Sequence, residues 1–285
     1  MELLSLDSLG AVLSPLEGEH PGAPRARLGE LAGYRAYEPG DDLRLIDWNA
    51  YARLEELYVR TSAAHEGMLL TVLVDCSRSM ALAGAFGAVP PLLHAKRLAA
   101  AFGVVALLHG DAVRVCALAD GSATATQVLS GRAAVSRLLR ELTQMPAGNG
   151  TDLSGSLRAC LPAVTRGLGP AVLLSDLLVP ASQAGALELL APAGAVLHVT
   201  DAAAFPGDLD GTRGAVVELR DGETGEVVTV TVTPALRRDF ERRSRAHGAA
   251  LAARCAAAGL RYIPASTATT VADLLFSHAE GPVRR

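Results

Sequence analysis

Residues 68–80 read Met-Leu-Leu-Thr-Val-Leu-Val-Asp-Cys-Ser-Arg-Ser-Met, and the fold turns on how this stretch is read. From Met68 to Val74 every position but Thr71 is apolar, and the run stops at Asp75. A run without polar alternation marks a strand buried on both faces, as at the centre of a parallel sheet. Sheets of that kind bind ligands at the carboxyl ends of their central strands. Asp75, Ser77 and Ser79 are therefore expected at a binding edge. Their oxygen-only chemistry suits a hard cation such as Mg2+.

Outward from this strand, helix and strand signals alternate. A helical run near Leu92 to His109 leads to a strand at Ala112 to Ala119, with Ala123 to Leu129 as its hairpin partner. Arg132 to Thr143 has helical spacing, with Leu138, Leu139 and Leu142 as its apolar stripe. Gly148-Asn149-Gly150-Thr151-Asp152 reads as a loop into a helix at Leu153 to Ala163, with Thr151 or Asp152 placed to cap it. Ala171 to Asp176 is a second apolar run ending at an acid. A helix near Leu187 and a buried strand at Ala195 to Thr200 follow. Residues 214–232 break the rhythm as a β-hairpin. Pro234 then opens a long helix to about Ala258, before a short strand at Leu260 to Pro264 and a closing helix at Thr270 to His278. The alternation predicts an α/β fold with a doubly wound, mostly parallel sheet, an added hairpin and an N-terminal extension.

The bulk composition narrows the possibilities. Of 285 residues half are hydrophobic and a fifth charged, so a sizeable core is expected. A net charge of −4 gives no global drive toward nucleic acid or membrane. Lys96 is the only lysine. The stretch Leu98 to Leu108 is too short to span a bilayer, and no basic region with an apolar core opens the chain, so a cytoplasmic protein is expected. Cys76, Cys116, Cys160 and Cys255 lack Cys-x-x-Cys spacing and read as reduced core cysteines.

The N-terminal part, residues 1–66, reads as a separate arm and extension ahead of a domain over 67–280. Residues 1–30 are broken by Pro15, Gly18, Pro21, Gly22 and Pro24. Between Tyr34 and Arg60 lie the single tryptophan, Trp48, and four of the five tyrosines, interleaved with charge. Glu38-Pro39-Gly40-Asp41 is a turn signal. Asp41, Asp42 and Asp47 are expected to cap turns and pair with Arg35, Arg44 and Arg53. Arg35, Arg44, Asp47, Trp48 and Arg53, together with Asp152, are candidates for supporting a site or lining a partner surface.

Three loops share one description: Asp75-x-Ser77-x-Ser79, Gly150-Thr151-Asp152-Leu153 and Leu173-Leu174-Ser175-Asp176. Together they resemble the metal-ion-dependent adhesion site of von Willebrand factor A domains, a Rossmann-type fold. The block Tyr37-x-Pro39-Gly40-Asp41-Asp42-x-Arg44-x-Ile46-Asp47-Trp48 is similar to the signature of the bacterial "domain of unknown function 58" family, which carries such a domain. The resemblance implies that Asp75, Ser77, Ser79, Thr151 and Asp176 surround Mg2+, or Mn2+ or Ca2+, leaving one position for an acidic group of a protein partner. It also implies a non-catalytic interaction module working with a MoxR-type AAA+ ATPase or its client in chaperone-like assembly. The chemistry agrees. Two carboxylates meeting at one strand edge repel by about 4 kcal/mol at 4 Å and an effective dielectric of 20, and a divalent cation removes that cost.

Two other readings compete. Asp75 after a buried strand suits a Mg2+-dependent phosphoester hydrolase, but Ser77 stands where such enzymes place a second acid, and neither a phosphate loop nor a Gly-x-Ser-x-Gly elbow occurs. Nucleic-acid binding through the arginines of 35–60 and through Arg237, Arg238, Arg242, Arg243 and Arg245 is the second alternative, and in the later group simple i,i+4 pairing to Asp239 and Glu241 competes with it. A hydrogen-bonded loop cluster without metal, with Ser77 and Ser79 merely capping the next helix, is the bland alternative at the first loop.

Overall fold

The computed structural model describes residues 33–37, 46, 48, 51, 53, 56–61, 68–82, 89–148, 150, 152–165, 169–179, 183–190, 194–201, 214–221 and 225–277. These fall into two compact units, one before residue 68 and one from Met68 onward.

In the first unit, β1 (Gly33–Ala36) pairs antiparallel with β2 (Tyr58–Thr61), in a register running from Gly33 opposite Thr61 to Ala36 opposite Tyr58. The backbone is helical at Trp48, Tyr51 and Arg53. Ile46 is buried, while Trp48 is 61% exposed and meets Tyr51 edge-on at 6.3 Å. The expected Glu38–Asp41 turn, and Asp41, Asp42, Arg44 and Asp47, lie outside the described residues.

The second unit opens with β3 (Leu69–Asp75), buried from Leu70 to Asp75, as its unbroken apolar run requires. A short helix, α1 (Arg78–Ala81), follows, and then α2 (Pro91–His109), with Pro91 in its first turn, where the missing N–H costs nothing. Next come β4 (Ala112–Ala119), β5 (Ser122–Ala125), β6 (Leu129–Ser130), α3 (Val135–Gln144), α4 (Leu153–Thr165), β7 (Ala171–Ser175) and β8 (Gly194–Thr200). The chain closes with β9 (Val216–Arg220), β10 (Val227–Thr231), α5 (Pro234–Ala257), β11 (Arg261–Ser266) and α6 (Val271–Ser277).

The central sheet runs β11-β8-β7-β3-β4-β5, with β6 also on β4. The pairs β11–β8, β8–β7, β7–β3 and β3–β4 are parallel, and only β5 and β6 join antiparallel. The sheet is thus mostly parallel and covered on both faces. On one face Val72, Val74, Val172, Leu174 and Leu197 meet Leu98, Ala99 and Phe102 of α2, Leu138 of α3 and Leu274 of α6. On the other, Leu73, Cys116, Leu173 and Val196 meet Leu157 of α4 and Leu251 of α5. Successive side chains of one strand go to opposite clusters, which is why no polar alternation appears in the sequence.

Some expectations need correction. Leu139 is off the buried stripe of α3, at 43% exposure, while Leu138 and Leu142 are buried. A 100° step per residue carries Leu139 past the contact face. The helix near Leu187 is a 3-10 segment, Ala184–Leu190. The helix expected near Leu92 to His109 spans Pro91–His109. Among the described residues α2 is long and apolar enough to cross a membrane by length and composition, with 61% of its apolar window buried inside the fold. The hairpin β9–β10 forms its own two-stranded sheet.

On β8, His198 is 6% exposed, and its Nδ1 is hydrogen-bonded to Tyr262 Oη at 2.7 Å. Burial, then the neighbouring His247, pulls its pKa down from 6.5 to about 4, against a hydrogen bond to the Asp176 backbone that holds it up. The folded chain therefore keeps His198 neutral while the unfolded chain protonates it below its ordinary pKa. Stability from this group is complete above pH 6.5 and is lost as pH falls toward 4, by about 3 kcal/mol in total. Urea unfolding in EDTA between pH 7 and 4 should show that decline. In His198→Gln the pH dependence should be shallower by about that amount.

Candidate metal centre

After β3 the chain crosses to β4 on one side, while β7 lies on the other side of β3. The strand order reverses there, so the carboxyl ends of β3 and β7 flank the crevice where open α/β sheets bind ligands. Asp75 ends β3 and Ser175 ends β7.

Asp75 is 3% exposed. Its Oδ1 accepts the Ser77 N–H at 2.9 Å, and its Oδ2 accepts the Ser175 hydroxyl at 2.6 Å. Each carboxylate oxygen has two acceptor sites, so these bonds orient the group without exhausting it. Ser77 precedes α1, yet its side chain makes no capping bond. Instead its Oγ stands 3.1 Å from Ser79 Oγ. Two oxygens on adjacent vertices of an octahedron with bonds of 2.0–2.1 Å lie about 2.9 Å apart. The hydroxyl pair therefore has close to the spacing of two Mg2+ ligands. Ser77 does not cap α1, and at 3.1 Å the two hydroxyls are also within hydrogen-bond distance of each other, as a loop cluster without metal would place them. Between Asp75 and Ser77, Cys76 is buried, and burial, then the Asp75 charge, pushes its thiol up to about 12.

The second loop is tied to the first through backbone. Gly148 donates its N–H to the Cys76 carbonyl at 2.6 Å, and Lys96 Nζ donates to the Met145 carbonyl at 2.7 Å. A Cβ at Gly148 would stand 2.7 Å from the Ala119 Cβ, so only glycine lets the loop approach this closely. Ala119 leads into the two-residue turn Asp120-Gly121 between β4 and β5, with φ of 51° and 72°. That is the Asp-Gly signature of a tight hairpin. Asp152 caps α4: its Oδ1 accepts the Gly155 N–H at 2.9 Å. The side chain is thereby turned to the helix terminus. Thr151 lies outside the described residues, between Gly150 and Asp152.

The third loop follows β7. Asp176 is 7% exposed and accepts the Leu178 N–H at 3.1 Å. Leu177, fully buried, holds φ at 52°, which costs a non-glycine residue about 1–2 kcal/mol. The Leu177 N–H bonds Ser175 Oγ at 3.0 Å, which fixes the turn immediately behind Asp176.

The structure thus joins the first and third loops through Ser175 and the first and second through Gly148. Among the described residues no group of three or more His, Cys, Asp and Glu side chains converges for a metal. The donors here are two carboxylates and two hydroxyls, which suit a hard oxygen-seeking cation and not a soft one. Arg35, Trp48 and Arg53 belong to the other unit, with Trp48 and Arg53 exposed, and Arg44 and Asp47 are not described. Sequence reasoning gave Ser175 no role. Its only signal was a hydroxyl one place before the acid, on the strand face it shares with Leu173. Ser175→Ala should destabilise the chain by about 1–3 kcal/mol in urea unfolding, since it removes one donor from a buried carboxylate and the acceptor of a buried N–H.

Residues 33–250 match the family described as "Protein of unknown function DUF58". The uncharacterized proteins Mb1516 of Mycobacterium bovis and Rv1480 of Mycobacterium tuberculosis are each 33% identical over 242 residues, covering 83% of this chain and 74% of theirs. Among solved structures, an aerotolerance-related membrane protein from Bacteroides fragilis, with multiple mutations to serines, aligns over 74% of this chain and 96% of its own at 17% identity. The TM-score of that alignment is 0.39. By the extent of the family match and the mycobacterial relatives, the chain belongs to the DUF58 family.

Proposed function

We propose that the β3–β7 crevice is a metal-ion-dependent adhesion site of a von Willebrand factor A-like, Rossmann-type domain. Asp75, Ser77 and Ser79, with Thr151 and Asp176, would hold Mg2+, or Mn2+ or Ca2+ in its place. The observation that carries the reading is the Ser77–Ser79 hydroxyl pair at 3.1 Å, beside a buried Asp75 that Ser175 orients across the switch point. Bound cation would relieve the repulsion of two carboxylates at one sheet edge and offer a vacant coordination position to an acidic side chain. The role is then cation-mediated docking of a protein partner. A MoxR-type AAA+ ATPase or its client is the partner class that the family resemblance suggests.

Mg2+ at a hundred times its Kd should stabilise the parent chain by about 2.7 kcal/mol, read as a rise in Tm of several degrees. Asp75→Ala should lose that rise, and Ser77→Ala and Ser79→Ala should each weaken it. A parent Tm indifferent to Mg2+, Mn2+ and Ca2+ sinks the cation site. Partner capture that is unaffected by both EDTA and Asp75→Ala sinks the docking role alone. Phosphoester turnover lost in Asp75→Ala would move the reading to a hydrolase.

A further inference from the structure

Asp120, at the tip of the β4–β5 hairpin, is exposed, so no packing demand of the core explains a carboxylate there. Its φ of 51° is left-handed, a region that glycine enters freely and aspartate only at a cost. The side chain therefore calls for a reason, and its neighbours supply one. The two carboxylate oxygens face two glycines of the second loop. A Cβ on Gly148 would stand 3.2 Å from Asp120 Oδ2, and one on Gly150 would stand 3.2 Å from Oδ1. The group thus spans the loop with one oxygen at each end.

Gly121, the other residue of the turn, meets the loop where it enters α4. A Cβ there would stand 2.9 Å from Asp152 Oδ2. A Cβ on Gly155, in the first turn of α4, would stand 3.0 Å from Gly121 Cα. The turn is thereby laid along the loop from Gly148 to Asp152, and glycine at 121, 148 and 155 leaves room for it. The turn is also referenced to the first loop. Leu118, two residues before Asp120, is the register partner of Asp75, and its carbonyl accepts the Cys76 N–H at 2.8 Å.

We propose that Asp120 is a positioning residue for the cation site, acting through the backbone of the second loop. The proposal rests on the cation reading of Asp75, Ser77 and Ser79, and adds what fixes the loop beside them. By itself, the bond from Gly148 to the Cys76 carbonyl would let that loop pivot. Asp120 at Gly148 and Gly150, with Gly121 at Asp152, removes the pivot. Through β4 the same turn carries the position of Asp75 across to the second loop. Groups that stand behind metal ligands and orient them set affinity by about 10- to 100-fold. Asp120 is exposed, so the lower end of that range applies.

The test compares the full parent chain with Asp120→Gly and Asp120→Asn. Glycine keeps the hairpin, since Gly-Gly suits such turns, and removes the carboxylate. Asparagine tolerates the same backbone and keeps one oxygen while removing the charge. In EDTA, hydrogen–deuterium exchange at the Gly148 amide should be about tenfold faster in Asp120→Gly than in the parent, with β3 and β7 unchanged. Unchanged exchange at that amide overturns the proposal, whatever the cation does. In calorimetric titration the Kd for Mg2+ should rise about tenfold in Asp120→Gly, with Asp120→Asn between it and the parent. Equal weakening in the two variants would make the effect one of charge and overturn the positioning role. A parent-like Kd in Asp120→Gly, beside faster exchange, would overturn it too. A parent that binds none of Mg2+, Mn2+ and Ca2+ overturns the site and its positioning residue together. The exchange comparison needs no metal, and so shows whether that failure lies with the site alone.

Discussion

The hydrogen bond from Ser175 to Asp75, 2.6 Å long and buried, is the constraint on which the upper edge of the sheet depends. It links the last residues of two adjacent parallel strands, and it links them through an ionisable group that the fold has taken out of water. A buried carboxylate needs donors, and here they are close: a backbone N–H from its own loop and a hydroxyl from the next strand. The same hydroxyl accepts the Leu177 N–H, so one side chain fixes both the Asp75 rotamer and the turn after Asp176. Leu177 tolerates a left-handed backbone because that bond and its complete burial hold it there.

From this edge the polar network spreads at one level of the sheet. His198 is register-paired with Ser175, bonds the Asp176 backbone and reaches Tyr262 on the next strand. Below that level the buried side chains of β3, β7 and β8 are apolar but for Thr71. The division follows from strand geometry. Positions 73, 173 and 196 pack against helices, and two residues further along the same faces reach the sheet's end, where Asp75, Ser175 and His198 can be polar.

Much of this was legible because β3 and β7 carry unbroken apolar runs that end at acids. Period and run length are local properties, so the order of elements could be read from residues alone. The loops around Asp75 and Asp152 were legible for a similar reason: acids and hydroxyls beside strand ends and helix starts have few roles. What could not be read depends on pairing across the chain. The Ser175 bond spans a hundred residues, and the β1–β2 ribbon pairs four-residue strands with no apolar run. The 3-10 geometry of Ala184–Leu190 was hidden too, since a segment of seven residues fits either helix. The arginines of α5 resolved into local pairs, Arg237 with Glu241 and Arg243 with Asp239, as their spacing allowed.

The sole lysine of the chain has a consequence for how the protein can be labelled. Lys96 Nζ is engaged with the Met145 carbonyl, at the root of the loop that Gly148 ties to Cys76. Every other cationic side chain that stays charged at neutral pH is a guanidinium, which acylating reagents leave alone. Amine chemistry therefore has one side chain to attack, and it stands part-buried at the loop root. Acylation of Lys96 thus labels the protein at one known side chain, beside the loop, without any engineered residue.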